Sequence, residues 1–90
     1  MDNSKFLTAL GGRIKALRSD QNISQQELAG VCDFEKANMS RIESGGTNPT
    51  ILTLLKICLA LKINLRDLMD HEELNCISEE DNSRSFKDTR

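Results

Sequence analysis

The sequence predicts an all-α fold, a compact bundle of about five short helices. Three observations lead there. With 90 residues the chain can build one core and one binding surface, not two domains. Its apolar side chains are aliphatic, with three Phe and neither Trp nor Tyr, which suits Leu, Ile, Val and Met packed between helices. Apolar residues recur at intervals of three and four, interrupted by Gly, Pro and the Ser, Thr and Asn that begin helices.

The elements follow in order. Leu7, Leu10, Ile14 and Leu17 fall on one face of a first helix, with Arg13, Lys15 and Arg18 on the others. It should stop near Asn22, a residue that tolerates the left-handed backbone of a helix C-terminus. Ser24 and Glu27 have capping-box spacing, and Ile23 and Leu28 fit a hydrophobic staple, so a second helix starts at once. It has room for about two turns before Cys32-Asp33-Phe34. A third, polar-rich helix over 35–44 points Met39 and Ile42 inward and ends at Gly45-Gly46. Asn48-Pro49-Thr50 makes a turn and an N-cap for an apolar fourth helix from Ile51 to Leu61. Asn64 and Asp67 open a short fifth helix carrying Leu65, Leu68 and Met69. The expected division is therefore a folded domain over 1–70 and an acidic tail over 71–90. The tail is too polar from Ser78 onward to order itself alone, and is either partly disordered or packed at a dimer interface.

Charge supports this division. Residues 1–70 hold nine Lys/Arg and eight Asp/Glu, whereas 71–90 hold three and six. A nearly neutral body does not adhere to nucleic acid through a broad basic surface, so any such binding must come from a local patch. No leader pattern and no apolar run of about 20 residues is present, so a cytoplasmic protein without a membrane partner is expected. Cys32, Cys58 and Cys76 form no CxxC pair, and an odd count argues for a reducing compartment. Cys32 and Cys58 lie on apolar faces and read as small core residues. His71 and Cys76 lack two further ligands at zinc-site spacing, so no metal is expected. With one His, no nucleophile elbow and no phosphate loop, neither an enzyme nor a cofactor or small-molecule ligand is expected.

The tightest pattern lies between Gln25 and Ser44. Leu28, Cys32, Phe34, Met39 and Ile42 are apolar, Ala29 is small, and a short turn separates two brief helices that can cross steeply over a shared core. That is helix-turn-helix geometry. Ile23-Ser24-Gln25-Gln26-Glu27-Leu28-Ala29, then Met39-Ser40-Arg41-Ile42-Glu43-Ser44-Gly45, Asn48-Pro49-Thr50, Leu54-Leu55-Lys56-Ile57 and Ala60-Leu61 resemble, in order and spacing, the Cro and phage-repressor type of helix-turn-helix protein, the XRE family. Restriction-modification controllers and small regulators of mobile elements are similar in flavour. The likeness covers about residues 6 to 69.

It implies a lambda-repressor-like DNA-binding domain and a sequence-specific transcriptional regulator, a repressor or controller, whose helix 35–44 enters the major groove. By the same resemblance, Gln25 holds a phosphate and braces that helix. Lys36, Ala37 and Arg41 contact base edges, and Asn38 and Ser44 lie near the backbone. Thr47 and Asn48 contact phosphates after the helix, and Arg18 and Glu43 form an internal salt bridge. The chemistry agrees: Arg and Lys reach guanine O6 and N7, Asn38 can serve a base or a phosphate, and Ala offers only a methyl contact. Asp33 stands where relatives usually have Gly, and Glu35 where Ser or Thr usually caps the helix. The Glu35 carboxylate suits the helix dipole but is repelled by phosphates unless it accepts from cytosine N4 or pairs with a cation such as Lys36.

A polar helix face is ordinarily only solvated surface, and it is the flanking pattern that distinguishes this one. Leu52 and Leu59, two turns apart where relatives are commonly polar, either widen the buried stripe or begin a two-fold dimer interface with Leu65, Met69, Leu74 and Ile77. A dimer predicts a palindromic operator. The alternative is an antitoxin or adaptor whose main partner is another protein.

Overall fold

A computed structural model describes residues 3–71 and 74. Five helices follow one another: α1 (Asn3–Asp20), α2 (Gln25–Cys32), α3 (Lys36–Ser44), α4 (Ile51–Leu61) and α5 (Leu65–Met69), with no strand among the described residues. Each start has a local cause. The Ser24 hydroxyl accepts from the Glu27 N–H (3.0 Å) and the Glu27 carboxylate from the Ser24 N–H (2.8 Å), closing the capping box of α2. These bonds hold the Glu27 carboxyl below its ordinary range, the Ser24 backbone donor contributing most. Thr50 caps α4 through the Thr53 N–H, and Asn64 with Asp67 forms a second capping box on α5.

The ends are less ordinary. Asn22, Asp33 and Lys62 all take left-handed backbone, with φ of 58°, 61° and 61°, where Gly would be least strained. Only α3 ends on a glycine, Gly45 at φ 82°.

Leu10 and Ile14 of α1, Leu28, Ala29 and Cys32 of α2, Met39 and Ile42 of α3, Leu54, Ile57, Cys58 and Leu61 of α4 and Leu68 of α5 form one core. Phe6, Ala9, Leu17, Ile23 and Phe34 pack against its edge. α1 begins four residues before the predicted Leu7, which brings Phe6 onto the packed face. Burial pushes both core thiols, Cys32 and Cys58, up, which keeps them protonated and inert.

Polar side chains of α1 and of the turn after it finish two other helices. Gln21 Nε2 donates to the Leu61 carbonyl at 2.7 Å, and Arg13 donates to the carbonyls of Asp67 (2.9 Å) and Leu68 (3.3 Å), satisfying C-terminal acceptors of α4 and α5. After α5 the chain folds back through Leu74 N–H to His71 carbonyl (2.9 Å) and buries Leu74, 6% exposed, in the same core. Leu74 was expected at a dimer interface. The structure uses it inside its own domain instead, where its side chain joins the core of the helices. Ile77 lies outside the described residues.

One crowding point escaped the sequence reading. At Gly11 a Cβ would stand 2.4 Å from the Glu43 carbonyl oxygen and 2.5 Å from that of Ile42, so α1 and α3 touch backbone to backbone. Gly12, its neighbour, faces open space. Gly11→Ala should therefore destabilise the fold by roughly 1–3 kcal/mol through overpacking, whereas Gly12→Ala should stabilise it by about 0.5–1 kcal/mol. Urea unfolding of the two variants checks the contrast.

Candidate nucleic-acid interface

The site rests on how α3 is divided between inside and outside. Met39 and Ile42 are buried in the core, while Lys36, Ala37, Ser40, Arg41 and Ser44 are exposed and Asn38 is half-buried. Ala37, Ser40, Arg41 and Ser44 lie at helical spacing on one outward stripe, with Lys36 at its leading edge. Ser40, absent from the residues singled out by sequence, thus shares the face of Arg41, and Asn38 sits at the border with the core. A small polar residue gives no compositional signal, but its three-residue interval from Ala37 would have placed it. Ser44 Oγ donates to the Arg41 carbonyl at 3.1 Å and closes the last turn.

Glu35, which the sequence places in the capping position, is the N-cap, with φ −73° and ψ 147°, but its side chain makes no capping bond. A carboxylate one methylene longer than Asp does not fold back onto the N–H groups here. Beyond α3, Gly45 lies against Thr8 of α1, so close that a Cβ would meet the Thr8 Cα at 2.7 Å. Thr47 is half-buried and Asn48 exposed in the loop that follows.

The inner side of α3 is anchored electrostatically. Arg18 Nε donates to Glu43 Oε2 at 2.7 Å and Arg18 Nη2 to Glu43 Oε1 at 3.0 Å, a two-pronged pair with side chains 11% and 3% exposed. The bond to Glu43 raises the Arg18 guanidinium above its ordinary value, so its charge is permanent. Arg18 Nη1 also holds the Ile23 carbonyl at 2.8 Å, and Gln25 Nε2 donates to Glu43 Oε1 at 3.0 Å. One carboxylate therefore joins α1, α2 and α3. The α2–α3 turn is closed by the Phe34 N–H on the Ala29 carbonyl (2.8 Å), while Lys56 of α4 sits 5.8 Å above the Phe34 ring.

No group of His, Cys, Asp or Glu that could hold a metal occurs among the described residues, and no described helix is long and apolar enough to cross a membrane. What the arrangement offers is an anchored helix with exposed donors, the Arg41 guanidinium, the Lys36 ammonium and the hydroxyls of Ser40 and Ser44, with the half-buried Asn38 amide at their border. Glu43→Ala would strand the Arg18 charge and the Gln25 amide, and should cost about 3–5 kcal/mol. Glu43→Gln, which keeps an acceptor, should cost less, and denaturant midpoints rank the two.

Comparison with known proteins gives the same assignment. The Cro/C1-type HTH DNA-binding domain matches residues 13–73. The control protein C.BamHI of Bacillus amyloliquefaciens is 35% identical over 68 residues, 73% of this chain and 84% of its own length. The immunity repressor of Bacillus phage phi105 is 38% identical over 82 residues, 88% of this chain but 56% of the repressor. Among solved structures, the restriction-modification controller protein C.AhdI from Aeromonas hydrophila superposes with a TM-score of 0.67 at 31% identity, covering 69% of this chain and 94% of that one. These likenesses favour a regulator over the antitoxin or adaptor alternative. The chain belongs to the Cro/C1-type helix-turn-helix family, and it is a DNA-binding transcriptional regulator.

Proposed function

We propose that the chain acts near a promoter, as a repressor or controller, by laying α3 into the major groove of a palindromic operator. The observation that supports this most is the two-sidedness of α3: Met39, Ile42 and Glu43 lock it to the body while Lys36 and Arg41 face outward. Arg41 and Lys36 then donate to guanine O6 and N7, Ala37 meets a thymine methyl, and Ser40 joins them on the stripe. Gln25 gives one amide hydrogen to Glu43 and has a second for a phosphate. Asn38, Ser44, Thr47 and Asn48 supply further backbone contacts, which set register without reading sequence.

Because the folded body is almost neutral, specificity in this reading depends on few cations rather than on a general basic surface. Lys36→Ala and Arg41→Ala should each weaken binding to a selected site by about 1–3 kcal/mol and relax base preference at one position. Fluorescence anisotropy on matched and mismatched duplexes measures both effects. Unchanged affinity and preference in both variants would remove α3 as the reading helix.

The dimer part of the proposal is supported by the outer face of α4. Leu52, Leu55 and Leu59 are 68%, 39% and 77% exposed and lie at intervals of three and four, with half-buried Leu65 and Met69 on the adjoining α5. Leu55 adds to the residues inferred from sequence, and Leu74 drops out. Pairing these ridges about a two-fold axis would set two α3 helices roughly 34 Å apart, one turn of DNA. Sedimentation at micromolar concentration should show a dimer that Leu52→Glu with Leu59→Glu converts to monomer. A wild-type chain that sediments as monomer would contradict it.

A further inference from the structure

The entry to α3 differs from that of its neighbours. Ser24, Thr50 and Asn64 all cap their helices through a side-chain oxygen, but Glu35 does not. The next residue, Lys36, carries the opposite charge, and both side chains are exposed. Neither forms a hydrogen bond or ion pair among the described residues, not even with the other. The helix thus begins with an uncommitted acceptor beside an uncommitted donor, and forgoes a cap that a shorter polar residue would supply.

The chemistry of the groove edges limits what such a pair can read. A carboxylate only accepts, and the major groove offers hydrogens at just two places, cytosine N4 and adenine N6. Next to adenine N6 lies N7, whose lone pair opposes the second carboxylate oxygen. Next to cytosine N4 lies a C5–H, which does not. Across the C·G pair the guanine O6 and N7 are acceptors that suit an ammonium. Guanine or thymine placed under Glu35 would present O6 or O4, acceptor against acceptor.

We infer that Glu35 and Lys36 together read one C·G base pair of each half-site, Glu35 accepting from cytosine N4 and Lys36 donating to O6 and N7 of the paired guanine. Helix capping is given up for rejection of the other bases, and the negative charge also weakens attachment to unselected DNA by repelling phosphates. This rests on the proposal that α3 enters the major groove.

The test is selection of bound sequences from random duplex DNA by the full chain and by Glu35→Gln, Glu35→Ser and Arg41→Ala. The wild type should enrich an invariant C·G pair, and replacing that pair should weaken binding about 5- to 150-fold. Glu35→Gln should turn the preference at that position toward adenine, whose N6 and N7 suit an amide, and leave other positions unchanged. Glu35→Ser should lose the preference, bind unselected DNA more tightly, and melt about 4–8 °C higher because α3 gains a cap. If the Glu35 variants select the wild-type motif while Arg41→Ala changes it, the inference fails and the major-groove reading stands. If no variant changes the motif, both fail.

Discussion

A carboxylate removed from water must be met by cations or donors, or it destabilises whatever holds it. Glu43 is met by two guanidinium nitrogens of Arg18 and by the amide of Gln25, each from a different helix. The consequence reaches beyond charge compensation. α3 has only nine residues, too few to be stable alone, and its orientation is set by what grips its inner face. Hydrophobic contacts through Met39 and Ile42 hold it to the core but leave it free to slide by small amounts. The bidentate geometry at Glu43 and the Gly11 backbone contact leave little such freedom. A helix that reads base edges needs that rigidity, because a hydrogen bond weakens as its length and angle depart from a narrow range.

Around this joint the helices are fixed largely by their termini. Side-chain caps start α2, α4 and α5, while Gln21 just after α1 receives the end of α4 and Arg13 of α1 that of α5. The strained left-handed residues Asn22, Asp33 and Lys62 let the chain turn sharply, which keeps the connections short enough for one small core. Leu74 adds to that core from beyond α5. The exposed apolar stripe of α4 is then the surplus, since the described helices are used in the core and leave it uncovered.

The parts of this architecture that were legible in sequence are those with local causes. Ser24 with Glu27, Thr50, and Asn64 with Asp67 announce helix starts because a cap is made within four residues, and the period of Met39 and Ile42 announces the inner side of α3. The Arg18–Glu43 contact was reached only through resemblance, since 25 residues separate its partners and nothing in their neighbourhoods links them. Gly11 was missed for a related reason: a glycine inside a helix carries no sign of what lies opposite. Lys62 breaks the rule that such ends prefer Gly or Asn, and Arg13 and Gln21 find their carbonyls 40 or more residues away. Leu74 was misplaced because an isolated apolar residue beyond the last clear helix suits an interface as well as a core. On the outward face of α3, Lys36 and Arg41 stood out by charge, and Ser40 did not.

In the proposed mode of binding, α3, held by Glu43, is the surface that meets DNA, and the α4 stripe is left for another copy of the chain. Amide chemical shifts of the labelled protein, recorded while a selected duplex is added, test this most directly. Shifts concentrated at Gln25, at 35–44 and at Thr47 and Asn48, with Leu52, Leu55 and Leu59 unmoved, are the predicted result. Shifts confined to α4 and α5, with α3 unperturbed, would contradict it.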